Sequence, residues 1–288
     1  DIDSYVSANG LGDNTEGQSP NATGYNKSSS GATHGGVGSI GYNSTENTNI
    51  YGSAFQPLTK GSASGNGYNA SGVSGGGTVS IVLNNLVNNG SIQSNGLNGF
   101  NSISNSNYGS GGGSGGSVLI MVDVIDGSGY IQAKGGNAGG NMFKGGGGGG
   151  GRVAVYYDTN NCDFTASSVE GGVGRMDNGE NGTFAIIKQN NDQSLNMTVF
   201  QRFCFESSDE PYFDINELVV KNGSVLNGPS SDIVLNINEL TLQEDSVWNN
   251  NNIKLNCDTI LLDSNAELEA EDNVTISSED ITLSSSSK

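Results

Sequence analysis

A short pattern of apolar and polar residues recurs four times between residues 213 and 283. Its centres are Leu218, Leu240, Ile260 and Ile281, so successive copies follow one another at a nearly constant spacing. Asn, Glu, Thr and Lys occupy the alternate positions, as in a strand with one buried face. Strand-length pieces at a period of about 21 residues are typical of a β-solenoid, whose coils stack on one another. The pattern predicts an all-β protein, a right-handed parallel β-helix.

The four copies align into five apolar columns. Stacked coils place like residues about 4.8 Å apart, so we expect each column to run through a core. Trp248 would fill that core between its column neighbours, and Cys257, standing where Ile is found in other copies, is interpreted as a small core residue. The columns hold Phe213, Leu235, Leu255 and Ile276; Ile215, Ile237 and Cys257; Leu218, Leu240, Ile260 and Ile281; Val220, Leu242, Leu262 and Leu283; and Leu226, Trp248 and Leu268.

The preceding part of the chain repeats on a longer and looser period. Strand-like runs begin at Val79, Val118, Val153 and Phe184, at intervals that are longer and less regular than those of the later repeat. Shorter runs of a second type, such as 92–96 and 131–135, alternate with them. We therefore predict three parts: residues 1–190 as a glycine-rich β-helix with long loops, 191–212 as a junction, and 213–288 as a regular β-solenoid with coils of roughly 20–22 residues.

Glycine is unusually abundant, with 46 Gly against 4 Pro. The longest runs, 111–116 and 145–151, are interpretable as flexible linkers or as ordered, tightly stacked corners. Each run is followed directly by a strand-like run at a regular place in the repeat, which favours ordered corners. Gly allows a positive φ and a close approach of backbones, and corners of stacked coils need both. No helical pattern and no Gly-Lys-Ser/Thr follows them, which disfavours a phosphate-binding loop.

The charge balance limits the range of partners. The chain carries 11 basic and 30 acidic residues, a net charge of −19, and the basic residues are scattered. A nucleic-acid surface requires clustered Lys and Arg, so we expect no such partner. No apolar run is long enough to cross a bilayer, so we expect no membrane span, and we find no signal peptide. The chain opens at Asp1 without Met, and we interpret it as a processed or excised piece of a longer precursor.

Two segments, 31–38 around His34 and 50–65 around Pro57, carry a recognisable pattern. With the glycine-flanked strands at 115–120 and 129–136, they make residues 1–190 resemble the glycine-rich extracellular β-helix segments of large surface proteins of protists, plants and some bacteria. The resemblance implies a secreted or surface β-helix with no generally assigned activity. The chain departs from that pattern at Ala63 and Asn66, where Gly is usual. Its Asn-rich composition resembles that of protist proteins.

Candidate catalytic chemistry is sparse. His34 is the only histidine, and we interpret it as a packed turn residue because no nucleophile and acid accompany it. Polysaccharide-degrading β-helix enzymes use clustered carboxylates, with Ca²⁺ or as an acid and base, and this chain has no adjacent Asp pair. Asp123, Asp126 and the acidic run 267–272 are predicted to be solvated, although the run could bind Ca²⁺ loosely. We predict no catalytic, cofactor or metal-binding residue.

Covalent modification is the richest chemical signal. Each Asn-x-Ser/Thr site is a candidate for N-glycosylation if it lies on an exposed loop of a secreted protein. Asn222 and Asn273 are expected in corners and are the best candidates. Cys162 and Cys204 could form a disulfide or remain two unpaired thiols. The nine candidate asparagines are Asn21, Asn26, Asn43, Asn69, Asn89, Asn181, Asn196, Asn222 and Asn273.

These observations favour a non-enzymatic, structural extracellular glycoprotein, a subunit of a surface layer or fibril that assembles by head-to-tail coil stacking. Its expected partners are copies of itself, N-glycans and extracellular polysaccharide. The alternative is a glycan-binding adhesin or a polysaccharide-degrading β-helix enzyme. An ice- or mineral-binding surface ranks last, because Thr241 and Thr282 do not form a regular ladder. An adhesin would need a groove lined by aromatic residues such as Tyr51, Tyr108, Tyr130, Tyr156 and Tyr157.

Overall fold

The chain is an all-β protein whose sheets contain parallel strands. A computed structural model describes residues 4–287 apart from 14, 23, 46–47, 206–213 and 228–234. No helix occurs among these residues, so none is present there that could cross a membrane. The strands are β1 (Tyr5–Ser7), β2 (Thr78–Val87), β3 (Ser91–Gln93), β4 (Ser117–Asp126), β5 (Tyr130–Gln132), β6 (Arg152–Asn160), β7 (Thr183–Gln189), β8 (Leu195–Phe200), β9 (Arg202–Cys204), β10 (Asp214–Val220), β11 (Val225–Asn227), β12 (Leu235–Leu242), β13 (Val247–Leu262) and β14 (Glu267–Leu283).

The chain divides into two compact units. The first, which we call the glycine-rich unit, comprises Asp1–Gly52, Gln56–Val153 and Thr159–Thr183. The second, which we call the column unit, comprises Ser53–Phe55, Ala154–Asp158 and Phe184–Lys288.

The column unit is a parallel ladder in which the repeats pair in register. β10 pairs with β12, β12 with β13 and β13 with β14, all in parallel. Leu218 lies opposite Leu240, which lies opposite Ile260, which lies opposite Ile281. The predicted alignment is confirmed for the other columns as well, except at Phe213, which lies outside the described residues. The partners are Leu235, Leu255 and Ile276; Ile215, Ile237 and Cys257; Val220, Leu242, Leu262 and Leu283; and Leu226, Trp248 and Leu268.

The ladder contains one more rung than the sequence indicated. β8, within the predicted junction 191–212, pairs in parallel with β10, and Met197 lies opposite Leu218. β9 likewise places Phe203 opposite Leu226. β7 pairs with β8 in antiparallel fashion, with Phe184 opposite Phe200, so the strand direction reverses there. Residues 195–204 therefore continue the repeat rather than interrupt it.

Strands make up a smaller part of the glycine-rich unit than of the column unit. β1, β3 and β5 form a three-stranded parallel sheet, and β2 pairs in parallel with β4. Thr78 of β2 lies opposite Ser117 of β4. The sequence interval between these two partners equals that between Ser91 of β3 and its partner Tyr130 of β5. This part of the chain thus has a regular repeat, although much of it is outside strands.

The long glycine runs pack on three sides against other backbone segments. In the run 145–151, a Cβ added at each glycine would collide with one of three neighbours, in strict rotation. Three residues per turn is the period of a polyproline II helix, which has no internal hydrogen bonds. The run therefore lies inside a bundle of extended segments. Gly145, Gly148 and Gly151 approach Ser110, Gly113 and Gly116; Gly146 and Gly149 approach Ser39 and Gly36; Gly147 and Gly150 approach Gly172 and Val169.

Backbone hydrogen bonds follow the same rotation. The amides of Gly148, Gly149 and Gly150 donate to the carbonyls of Gly136, Ala32 and Glu180, at 2.9, 2.8 and 2.9 Å. Three successive residues thus bond to three segments, which a β-ladder does not allow. No glycine of 111–116 or 145–151 has a positive φ. Of the two reasons given for glycine in these runs, close backbone approach is confirmed, whereas a positive φ is not found.

Candidate functional site

His34 is fully buried within the glycine-rich unit. Its Nδ1 lies 2.8 Å from the carbonyl oxygen of Gly115 and its Nε2 lies 2.9 Å from Oγ1 of Thr59. A carbonyl can only accept, so Nδ1 donates and Nε2 accepts from the hydroxyl. Burial, with a smaller effect of the nearby Arg152 charge, lowers the pKa of His34 to about 3. The ring is neutral, and both nitrogens are engaged within the protein.

Tyr51 and Arg152 complete this buried polar cluster. The Tyr51 ring lies 4.7 Å from the His34 ring, and its hydroxyl donates to the carbonyl of Lys60 at 2.8 Å. Burial raises the pKa of Tyr51. Arg152 is fully buried, and its Nε donates to the Tyr51 carbonyl at 3.0 Å. The cluster joins distant segments of the chain, and its three side chains are buried.

The acidic residues do not converge on a site. Asp123 accepts a hydrogen bond from Asn84 at 2.8 Å, and Asp123 and Asp126 are both exposed on β4. Glu267 and Glu269 lie on β14, while the side chains of residues 271 and 272 are outside those described. Among the described residues, no three His, Cys, Asp or Glu side chains gather as metal ligands would.

The cysteines are three free thiols. Cys162 belongs to the glycine-rich unit and Cys204 to the column unit, and the disulfide left open by the sequence is not formed. Cys257 is buried in its column, and its thiol donates to the Thr259 carbonyl at 3.1 Å. Burial raises the pKa of Cys257 to about 11, which keeps the thiol protonated and unreactive.

The nine candidate glycosylation sites differ in accessibility. Asn196 is half-buried in β8, where Asn190, Asn216 and Glu217 share its amide group in hydrogen bonds. Asn222 lies exposed in a turn, whereas Asn273 lies within β14 opposite Asn252 and not in the expected corner. Asn21, Asn43, Asn69, Asn89, Asn222 and Asn273 are exposed, and Asn26, Asn181 and Asn196 are half-buried.

The five tyrosines named for an aromatic groove do not line one together. Tyr51 and Tyr108 are buried, and Tyr130 is half-buried in β5. Tyr156 donates its hydroxyl to the Phe55 carbonyl within the column unit. Of these five, Tyr108 belongs to an aromatic surface whose other rings are different residues.

That surface comes from a tripeptide, Gly-Tyr-Asn, which occurs at 24–26, 41–43 and 67–69. In each copy the asparagine has a left-handed backbone: φ is 59° at Asn26, 53° at Asn43 and 46° at Asn69. Asn tolerates this conformation better than other non-glycine residues, so each copy forms a turn. The turn exposes its central tyrosine to a differing degree, and all three asparagines begin a glycosylation sequon.

The rings of these turns lie together on one face of the glycine-rich unit. Tyr25 is 5.2 Å from Tyr68, and Tyr108 is 6.1 Å from both Tyr68 and Tyr42, measured between ring centroids. Phe143 stacks on Tyr108 at 5.0 Å. We call these five residues the tyrosine surface. Tyr108 is its buried centre, and Tyr25 is 72% exposed.

The turns are fastened by hydrogen bonds, so their positions are fixed relative to one another. The Tyr108 hydroxyl donates to Oδ1 of Asn26 at 2.7 Å. Nδ2 of Asn69 donates to Oγ of Ser104 at 2.8 Å, and the Tyr42 amide donates to the Lys144 carbonyl at 3.2 Å. Sequence reasoning missed this surface. The signal that could have found it is the tripeptide itself, which recurs three times early in the chain.

Comparison of the chain with protein-family models, curated proteins and solved structures finds no significant match.

Proposed function

We propose that this chain is a non-enzymatic, structural extracellular glycoprotein that assembles head to tail with copies of itself. Its fold is a right-handed parallel β-helix in which each rung is one coil. The in-register parallel pairing of the repeats supports that fold. The nine sequons, six of them exposed, support an extracellular glycoprotein.

One observation supports the proposed assembly: the apolar columns are buried on the inner rungs but exposed at β14. Leu240 is 1% exposed and Ile260 3% exposed on the inner rungs, whereas Ile281, in the same column on β14, is 52% exposed. Leu283 is 61% exposed, although its column partner Leu262 is buried. An edge strand also offers unpaired N–H and C=O groups to a further strand. A second copy, adding a strand there, would bury the columns and pair those groups.

The edge that would meet β14 is β2 of the next copy. β2 is the end strand of its sheet, and Val82 on this strand is 71% exposed. Beside it an open cavity of about 320 Å³ is lined by apolar side chains that include Val6, Ile81 and Leu86. This end of the glycine-rich unit therefore also has uncovered apolar surface.

Charge favours this pairing over pairing of two β14 strands. The sequence of β14 contains six acidic residues, whereas β2 contains no charged residue. Like charges placed opposite one another are destabilising, so β14 repels β14 and accepts the neutral β2. A head-to-tail contact of this kind does not close on itself and gives an open filament.

The test is the size of the purified chain across a range of concentrations, measured by sedimentation velocity and negative-stain electron microscopy. The unsubstituted chain should grow into filaments as concentration rises. Ile281→Lys blocks the β14 edge and Val82→Lys blocks the β2 edge, so each variant should remain monomeric. Their mixture should form heterodimers, because each variant contributes one intact edge.

Leu58→Lys is the matched control, since Leu58 is 54% exposed and lies outside every strand. This variant should assemble normally. A chain that remains monomeric at every concentration would overturn the proposal. So would a Val82→Lys variant that dimerises on its own, because that result indicates pairing of two β14 edges.

A further inference from the structure

Basic residues gather at the tyrosine surface, in a chain that is otherwise acidic. Lys27 directly follows the first Gly-Tyr-Asn turn, and its carbonyl accepts from the Tyr68 amide at 3.2 Å. Lys144 follows Phe143. The guanidinium of Arg175 lies over the Tyr42 ring, 4.7 Å from its centroid. Three of the 11 basic residues thus border one aromatic cluster.

These three cations are not neutralised by ion pairs within the described part of the chain. The ion pairs found there are Lys60 with Asp13 and Lys134 with Glu170. Asp177 is close to Arg175 in the sequence but makes no ion pair with it. Arg175 instead makes a cation–π contact, which keeps its guanidinium beside the rings and open to an anion.

Polar groups and a depression lie next to the rings. An open cavity of about 610 Å³ adjoins the turn at 67–69. Its lining includes the amides of Asn66, Asn69 and Asn101 and the exposed ring of Phe100. Aromatic faces with a few fixed amide groups are the usual lining of a site for a small polar ligand.

We propose that the tyrosine surface binds an acidic saccharide, a sugar chain bearing carboxylate or sulfate groups. The apolar C–H face of a sugar ring stacks on Tyr25, the exposed ring of this surface, and the amides of Asn66 and Asn101 bond to the hydroxyl groups. Lys27, Lys144 and Arg175 pair with the anionic groups. This inference is independent of the proposed assembly, because it uses neither β2 nor β14.

The chemistry of the surface favours a saccharide over a nucleic acid. A strand of nucleic acid carries one charge per nucleotide and is held by a continuous basic groove. Here three cations lie in a molecule of net charge −19, which repels a densely charged polymer. A sugar acid has spaced charges and many hydroxyl groups, which suit three cations and the neighbouring asparagine amides.

The probe is an oligogalacturonate, and its control is the fully methyl-esterified form of the same oligomer, which has no charge. Binding is measured by calorimetry with the full chain made in bacteria, so that Asn26, Asn43 and Asn69 carry no glycan. We expect the acid to bind and the ester to bind at least about tenfold more weakly. Added salt should weaken binding of the acid, because the pairs are exposed.

Two variants separate charge from stacking. A triple variant, Lys27→Gln with Lys144→Gln and Arg175→Gln, should weaken binding by roughly tenfold, since each exposed ion pair contributes only about twofold. Its control replaces Lys188, Lys221 and Lys254 of the column unit by Gln and should bind normally. Tyr25→Ala should weaken binding roughly threefold to tenfold. Its control is Tyr5→Ala, because Tyr5 is equally exposed on β1.

Four results would overturn the inference. One is the absence of binding to the oligogalacturonate. Another is equal affinity for the acid and its ester. A third is an equal loss in the charge variant and its column-unit control. The fourth is tighter binding of a thymidine oligonucleotide than of the sugar acid, which would assign the surface to nucleic acid.

Discussion

The two units of this protein stack extended segments, but different forces hold them together. In the column unit, side chains do the packing: Trp248 and its neighbours Leu226 and Leu268 form one apolar column among several. In the glycine-rich unit, the runs 111–116 and 145–151 consist almost entirely of glycine, and backbone lies directly on backbone. The column unit is stabilised mainly by apolar burial, and the glycine-rich unit by hydrogen bonds and close atomic packing.

Serine fills the spaces that glycine leaves in the glycine-rich unit. Ser29 is buried, donates its hydroxyl to the Gly65 carbonyl at 2.6 Å and accepts from the Gly111 amide at 2.8 Å. Ser62 accepts from the Gly17 amide at 3.0 Å in the same manner. A small hydroxyl can pair backbone groups that no strand ladder reaches. A stacked fold can therefore have a polar interior if each segment approaches its neighbours closely enough.

The largest expected effect comes from adding one methyl group to a glycine run. In Gly149→Ala the new Cβ would collide with the carbonyl oxygen of Gly36, a backbone atom that cannot turn away. We expect the free energy of unfolding to fall by more than the ~1–3 kcal/mol typical of overpacking. A loss of that size should unfold the glycine-rich unit. Hydrogen exchange measured by mass spectrometry should show lost protection in peptides covering 111–116 and 145–151, with the column unit still protected.

Gly24→Ala is the matched control for that variant. Its added Cβ would lie 3.5 Å from the Lys27 side chain, an ordinary contact, and Gly24 has no positive φ. Protection should therefore be unchanged. If Gly149→Ala were as stable as Gly24→Ala, the bundle would be loose, and the contrast between the two units would lose its physical basis.

The sequence predicted the columns well because the apolar positions of the repeat are the positions that pack in the core there. Ile215, Leu218 and Val220 recur with fixed spacing in the later rungs. The rung at β8 was missed because its apolar residues are closer together. A register shift after Ile215 means that β10 has one more residue between its first two core positions than β8 has. A strict alignment of the pattern therefore fails at β8.

The glycine bundle could not be derived from the sequence, since glycine has no side chain to show which way a residue faces. The three-residue rotation of Gly148, Gly149 and Gly150 is visible only in their contacts. The Gly-Tyr-Asn turns were detectable as a repeat in the sequence. The contact between their tyrosine rings was not detectable. Tyr25 and Tyr68 are distant in the chain, and their rings meet only because the segments between them fold.

The next largest effect is expected from low pH, which should reduce the stability of the glycine-rich unit through His34. The folded pKa is about 3 and the ordinary value is 6.5, so below 6.5 the unfolded chain binds a proton that the folded chain excludes. The contribution of His34 to the stability of the folded state is fully present above pH 6.5 and is lost as the pH falls towards 3. Between about pH 7 and pH 4 the loss is roughly 3 kcal/mol.

His34→Gln isolates this term, because Gln can donate to Gly115 and accept from Thr59 without titrating. Carboxylates titrate equally in both proteins, so the difference in hydrogen-exchange protection of peptides covering 111–116 should narrow as the pH falls. Identical pH dependence in the two proteins would show that His34 takes up its proton in the folded state.

The smallest effect tests the columns from inside to edge. Leu240→Ala removes a buried side chain from an inner rung and should cost about 3 kcal/mol. Ile281→Ala, in the same column on β14, should cost less than about 1 kcal/mol in dilute solution, since Ile281 is already half-exposed. Trp248 is the only tryptophan, so its fluorescence during denaturant unfolding reports this unit alone. Equal costs for the two variants would mean that β14 is covered even in dilute solution.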